Sequence, residues 1–366
     1  MRAVLLGLLA GCVPDLGDRS AAAHADSCAT CHPVAADQLA GSRHARPAAS
    51  PLFVELRSRA QDELGAGAFC DRCHLPDGLG CITCHAAGGN QQTANGALLA
   101  DPTGPVRGPF GDTVGPHASV AGDFLTDSAL CGTCHDVEGV AGFDEHPFRA
   151  WEASPYAGTD RCQDCHMSPE PGLPAPRELG AIAVEGPERA RSDHGFVGLQ
   201  RAPRDLLARG LVLTAVPGGV MLENRAGHGF PDGASFTREV WLESRSRRDG
   251  PGPPTAATVR ESRSRRDGPG PPTAATVRES RGTGQWTGDT RPLHAELRRA
   301  GVPVVDPVEA DETVFRGVPA GETRFEPFPP DVDEVCLRYR PVGAGLSAAL
   351  GLAVEPAVTV SCVSPR

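Results

Sequence analysis

Cys28-Ala-Thr-Cys31-His32 is the first of five copies of one pattern. The others are Cys70-Asp-Arg-Cys73-His74, Cys81-Ile-Thr-Cys84-His85, Cys131-Gly-Thr-Cys134-His135 and Cys162-Gln-Asp-Cys165-His166. Cys-x-x-Cys-His is the spacing at which two thiols add to porphyrin vinyl groups and the adjacent histidine reaches the iron from the proximal side, as in c-type haem. The five copies use ten of the thirteen cysteines. Five haem c groups are therefore expected, tethered at Cys28, Cys31, Cys70, Cys73, Cys81, Cys84, Cys131, Cys134, Cys162 and Cys165. Their proximal ligands are His32, His74, His85, His135 and His166.

Working outward, the five motifs occupy only 139 residues, from Cys28 to His166. That is too little chain to build an apolar core around each porphyrin, so the porphyrins are expected to be much of the interior. An aromatic share of 5% fits a fold in which porphyrin faces replace aromatic side chains. One longer helix stands out. Ser50 can cap it, Pro51 suits its first turn, Gly65 can end it, and Leu52, Leu56, Ala60 and Leu64 recur on one face. The rest of this half reads as short helices and loops. Pro169, Pro171, Pro174 and Pro176 mark a stiff linker near residues 169–188.

Beyond about residue 199 the pattern changes to short apolar or alternating runs, at 211–216, 220–222, 239–243 and 336–339, separated by Gly and Pro. The fold class is thus α+β. A haem-packed domain of short helices and loops over residues 12–198 is followed by a β-rich, sandwich-like domain over 199–366. Residues 244–261 recur without change at 262–279, a duplicated loop whose Gly and Pro content reads as solvated chain more than as a basic docking patch. Cys336 and Cys362 form either a disulfide, which an oxidising compartment would favour, or two buried thiols.

The sixth iron ligand can be narrowed by counting. Of three methionines, Met1 begins the chain and Met167 directly follows a proximal histidine, leaving Met221. Twelve histidines less five proximal ones leave seven. Bis-histidine ligation of most irons follows, with His44, His117, His146, His194 and His228 as distal candidates; His24 and His294 are set aside. The glycines flanking His228 would let a large flat group approach the backbone. His74 and Cys81 lie seven residues apart, at most roughly 25 Å even fully extended, so the second and third haems must be close.

The N-terminus reads as an export signal, residues 1–11, with a short apolar run ending in Leu9-Ala10-Gly11-Cys12. This is the pattern of a bacterial lipoprotein lipidated at Cys12; the alternative is an ordinary signal peptide cut near Ala23-His24-Ala25. Either places the protein on the periplasmic side of the cell envelope, and the first anchors it to the inner or outer membrane by lipid. A net charge of −11 argues against nucleic acid. The chain has no lysine.

The first motif with Ser42-x-His44-Ala45 resembles the cytochrome c-552/4 type of multihaem domain. Leu130–Asp136, Trp151-x-x-Ser154-Pro-Tyr156 and Cys162–Met167 are similar to exported pentahaem cytochromes of environmental bacteria. Gly227-His-Gly-Phe-Pro-Asp-Gly233 and Arg238–Leu242 resemble the β-rich part of the same group, where the histidine of the Gly-His-x-Phe-Pro motif is thought to ligate a haem; this would carry over to His228. The resemblance spans about residues 26–243 and departs at the duplicated loop. It implies electron transfer more than enzyme catalysis, with other cytochromes or a membrane oxidoreductase as redox partners. The alternative is a multihaem oxidoreductase acting on a small nitrogen or sulfur compound at one open iron. Pentahaem nitrite reductases use a lysine ligand, which this chain cannot supply, and neither Tyr156 nor Tyr339 has an obvious context for the cross-link of hydroxylamine oxidoreductases. A docking role for the C-terminal part, toward a partner cytochrome or porin, is compatible with the first reading.

Overall fold

The computed structural model describes residues 27–112, 117–140, 142–170, 189–198, 203–246 and 291–365. The segment read as an export signal with Cys12, then His24, most of the segment read as a Pro-rich linker and most of the duplicated segment 244–279 lie outside the described residues. The chain divides into two compact units, Met1–Glu138 with His146–Pro203, and Gly139–Glu145 with Arg204–Arg366. The division falls at 203/204, where a helix Pro203–Gly210 begins, and the second unit takes in residues 139–145 as well. That excursion has a packing reason. Gly142 sits at φ +74°, so close to the Pro307 carbonyl that no side chain would fit, and Phe143 meets Phe236 edge-on at 5.4 Å.

In the first unit the expected helix runs Pro51–Leu64 and stops at Gly65, φ +65°. Its end is a Schellman motif: Gly65 N–H donates to Gln61 and Ala66 N–H to Ala60. Ser50 takes the N-cap position in an extended conformation, but its side chain makes no capping bond. Leu56 and Ala60 are buried, whereas Leu64 is 46% exposed, so the apolar stripe is covered only in its middle. Short helical turns Cys28–Cys31, Gly67–Cys70, Cys81–His85, Ser128–Gly132 and Cys162–His166 carry or open the five motifs. Three two-stranded ladders join them. Ala87–Asn90 pairs antiparallel with Leu98–Ala100, and Val106–Gly108 pairs parallel with Ser119–Ala121. In the third, Pro169–Glu170, at the start of the segment read as a linker, is a strand paired with Arg191–Ser192, and residues 171–188 lie outside the described ones. Such strands are too short to show periodicity in sequence.

Buried apolar side chains are scarce in this unit. Among the described residues they are Leu56, Ala60, Ala86, Ala87 and Ala94, a single large side chain and four methyl groups. The polypeptide by itself supplies almost no hydrophobic core here.

The second unit is different. Strands Arg291–Pro292, Glu239–Ser246, Val332–Arg340 and Val358–Val363 form one antiparallel sheet in that order. Leu211–Val216, Gly219–Asn224 and Thr323–Pro327 form a second, and Glu296–Arg299, Val302–Val304 and Glu312–Val314 a third. All four strands read from sequence are present; the first matches its run at Leu211–Val216, and the other three extend beyond their apolar kernels. The first copy of the duplicated segment begins inside one of them, since Ser244–Ser246 continue the strand from Glu239. Leu211, Val220, Leu222, Val240, Leu242, Val335, Leu337 and Tyr339 are almost wholly buried. A helix Ala344–Ala349 has no counterpart in the sequence reading. Its first N–H donates to Glu239 Oε1, 3.1 Å away, while Glu239 also pairs with buried Arg340 at 2.5 Å.

Cys336 and Cys362 are cross-strand neighbours and form a disulfide closing 26 residues. Replacing both with alanine is expected to cost this unit about 3–4 kcal/mol through the loop entropy of the unfolded chain. Urea unfolding of the full chain followed at the second unit checks it; an unchanged midpoint would refute it.

Candidate metal centres

Each motif is built by one helical turn. The histidine N–H donates back to the first cysteine carbonyl, at 2.8 Å for His32, 3.0 Å for His74 and 2.8 Å for His135. That bond puts the first cysteine, the second cysteine three residues on and the histidine four residues on along one face. Two thiols and one imidazole on one face could therefore hold a single flat group.

Sulfurs from different motifs also converge. Hydrogen bonding between the thiols lowers the pKa of Cys81 to about 6 and raises that of Cys28. The same relation joins Cys162, lowered to about 7, with Cys131, and lowers Cys134 through Cys73. Burial raises the Cys84 thiol to about 11, with Cys134 adding to the effect. First and third motifs are thus neighbours, as are second and fourth, fourth and fifth, and third and fourth.

Three motif histidines face a second imidazole. Ring centres are 6.5 Å apart for His32 and His117, 6.0 Å for His135 and His44, and 6.2 Å for His85 and His194. Two imidazoles bound to one metal ion from opposite sides, each through a bond of about 2 Å, hold their ring centres roughly 6 Å apart. The spacing fits a shared iron in all three cases. Partners 85, 91 and 109 residues apart could not be paired by inspection of the chain.

The neighbouring shell fixes these rings. His85 Nδ1 bonds the Arg107 carbonyl at 2.7 Å, and His117 Nδ1 bonds Ser119 Oγ at 2.9 Å. Arg107 and Ser119 both belong to the small parallel ladder, which therefore orients two imidazoles at once. His74 Nδ1 bonds the Pro47 carbonyl at 3.1 Å, His166 Nδ1 that of Val197 at 3.0 Å, and His194 Nδ1 that of Ser192 at 2.9 Å. Carbonyl acceptors at Nδ1 place the proton there and leave Nε2 bare for a metal. Burial lowers the pKa of His44, His74, His85 and His194, which favours the neutral, ligating form.

The other distal candidates stand apart. His146 Nδ1 bonds the fully buried Asp136 carboxylate at 2.9 Å, an acceptor shared with the Arg149 backbone N–H at 3.1 Å. His228 lies in the second unit, where its carbonyl accepts from buried Asn224 Nδ2 at 2.9 Å. Asn224 also donates to the carbonyls of Val318 and Pro319 and so anchors the Gly-His-Gly-Phe-Pro loop. Nothing in the sequence marked Asn224 for this role, nor Phe53, whose ring stacks on His74 at 4.1 Å. The second unit also holds His294, its Nδ1 3.3 Å from the Val240 carbonyl.

The chain is similar in fold to the crystal structure of a penta-heme cytochrome c552 from Thermochromatium tepidum. The TM-score is 0.61 at 17% identity, covering 92% of this chain and 97% of that one. No family model and no curated protein matches the chain.

His44 is held by its own turn. Its carbonyl accepts from Leu79 N–H at 2.9 Å, and Gly78, at φ +81°, lies where a β-carbon would be 2.1 Å from the Ala45 carbonyl oxygen. Gly78→Ala is expected to destabilise the protein by about 1–3 kcal/mol, read as a lower thermal midpoint; a neutral substitution would refute this packing.

Proposed function

We propose that this chain is a multihaem c-type cytochrome that relays electrons through five covalently held haems, most of them with two histidine ligands. The observation that carries the reading is the set of three imidazole pairs at 6.0–6.5 Å, each pairing a motif histidine with one from outside the motifs. Haem iron supplies reversible one-electron chemistry when bound, tuned by axial ligand and burial. The chain's residues attach, orient and shield. Cysteines tether, His117, His44 and His194 close the far side of the first, fourth and third sites, and backbone carbonyls lock the proximal rings of His74, His85 and His166. The near-absence of a polypeptide core in the first unit supports the same reading, because five porphyrins would fill it.

The order of neighbours suits a relay. Converging thiols connect the five motifs into one network with the fourth at its centre. The fold shared with a penta-heme cytochrome c552 supports this assignment. We also place the protein on the periplasmic side of the cell envelope, anchored through Cys12 to the inner or outer membrane, with other cytochromes or a membrane oxidoreductase as redox partners. His228 is proposed as a further distal ligand on the strength of its motif.

Mass spectrometry of the exported protein is expected to show five added haems; bare thiols would end this proposal. The reduced wild-type protein is expected to leave carbon monoxide unbound at the first, third and fourth haems, and His117→Ala to gain binding at one haem with all five retained. Binding by the wild type at another haem, together with turnover of a small nitrogen or sulfur compound, would favour the oxidoreductase alternative.

A further inference from the structure

One five-residue segment, Asp193-His194-Gly195-Phe196-Val197, serves three of the five sites. His194 faces His85 of the third motif. Val197 is joined twice to His166 of the fifth: its carbonyl accepts from Nδ1 at 3.0 Å, and its N–H donates to the His166 carbonyl at 2.9 Å. Phe196, between them, packs its ring 4.2 Å from that of His44, the partner of His135 in the fourth motif.

Two observations single out Phe196. Its backbone lies at φ +49°, a left-handed conformation that bulky residues rarely adopt and that costs of order 1–3 kcal/mol. The conformation is imposed from both sides. Buried Asp193 accepts from the Gly195 N–H at 2.7 Å just before it, Gln38 Oε1 accepts from the His194 N–H at 3.0 Å, and the Val197–His166 pair follows. The second observation concerns His44. Its Nδ1 is buried without a hydrogen-bond partner, whereas His74, His85, His117, His166 and His194 each bond an oxygen at that atom. An imidazole without such a bond has no polar anchor for its ring orientation.

Resting on the haem reading above, we propose that Phe196 is the positioning residue for the His44 imidazole, fixing by ring packing what oxygen acceptors fix at the other five. The strained segment exists to deliver that ring. A ligand held by packing lacks the added basicity that a hydrogen bond at Nδ1 confers, so the fourth site is set apart electronically from its neighbours.

The test is made on the full haem-loaded protein. His44→Ala and His194→Ala first assign the low-spin electron paramagnetic resonance signals of the fourth and third haems. Phe196→Ala is then expected to keep five haems by mass, to shift or convert to high spin the signal assigned through His44, and to admit carbon monoxide at that one haem. Phe196→Tyr, which retains the ring, is expected to restore the wild-type signal. Should Phe196→Ala fail to mature, Phe196→Leu carries the same readouts. An unchanged His44 signal and midpoint potential would overturn the inference, as would an equal disturbance of the His194 signal, whose ring Phe196 also meets edge-on at 6.4 Å, since Phe196 would then not act on His44 in particular. A wild-type protein lacking haem would instead overturn the proposed function.

Discussion

Among its described residues the first unit buries few apolar side chains, and the proposed function follows from that constraint. One leucine and four alanines are the buried apolar residues among those described. Burial of that size cannot offset the entropy of ordering so much loop and short helix. In the proposed function, haems held by the five cysteine-histidine turns supply the rest of the cohesion. Each turn puts two thiols and an imidazole on one face, and three are met from across the fold by a second imidazole. In the proposed function, tether, filler and redox centre are the same object.

Polar contacts do the fine placement in such a unit. The parallel ladder Val106–Gly108 with Ser119–Ala121 is only three residues wide, yet it supplies acceptors to His85 and His117 together. The segment 193–197 similarly reaches three sites with five residues. Short elements suffice because each is pinned at several points, so little chain entropy remains to be overcome locally. The second unit needs none of this. Its sheets bury Leu, Val and Tyr side chains on their own faces, and its disulfide and the buried Arg340–Glu239 pair tie strands already paired by backbone bonds.

The helix Pro51–Leu64 shows how local signals translate. Pro51 and Gly65 mark its ends because their backbone restrictions act within a turn. Ser50 occupies the cap position without making the bond, and Leu64 emerges into solvent, because both depend on what lies around the helix. The helix Ala344–Ala349 is the converse case. Six small residues carry no period, and a carboxylate more than a hundred residues earlier caps them.

What the sequence determined by itself is the chemistry of the five tethering turns, since a cysteine, a second cysteine three residues on and a histidine four residues on share a face in any single helical turn. It also determined the four β-strand kernels, whose apolar runs are local. The supply of spare histidines was countable, and their partners were not. Only tertiary structure decided that His117 faces His32, that His44 faces His135 and that His194 faces His85. Those pairings join residues far apart in the chain through loops without periodicity, and no local rule of backbone geometry reaches across such a distance.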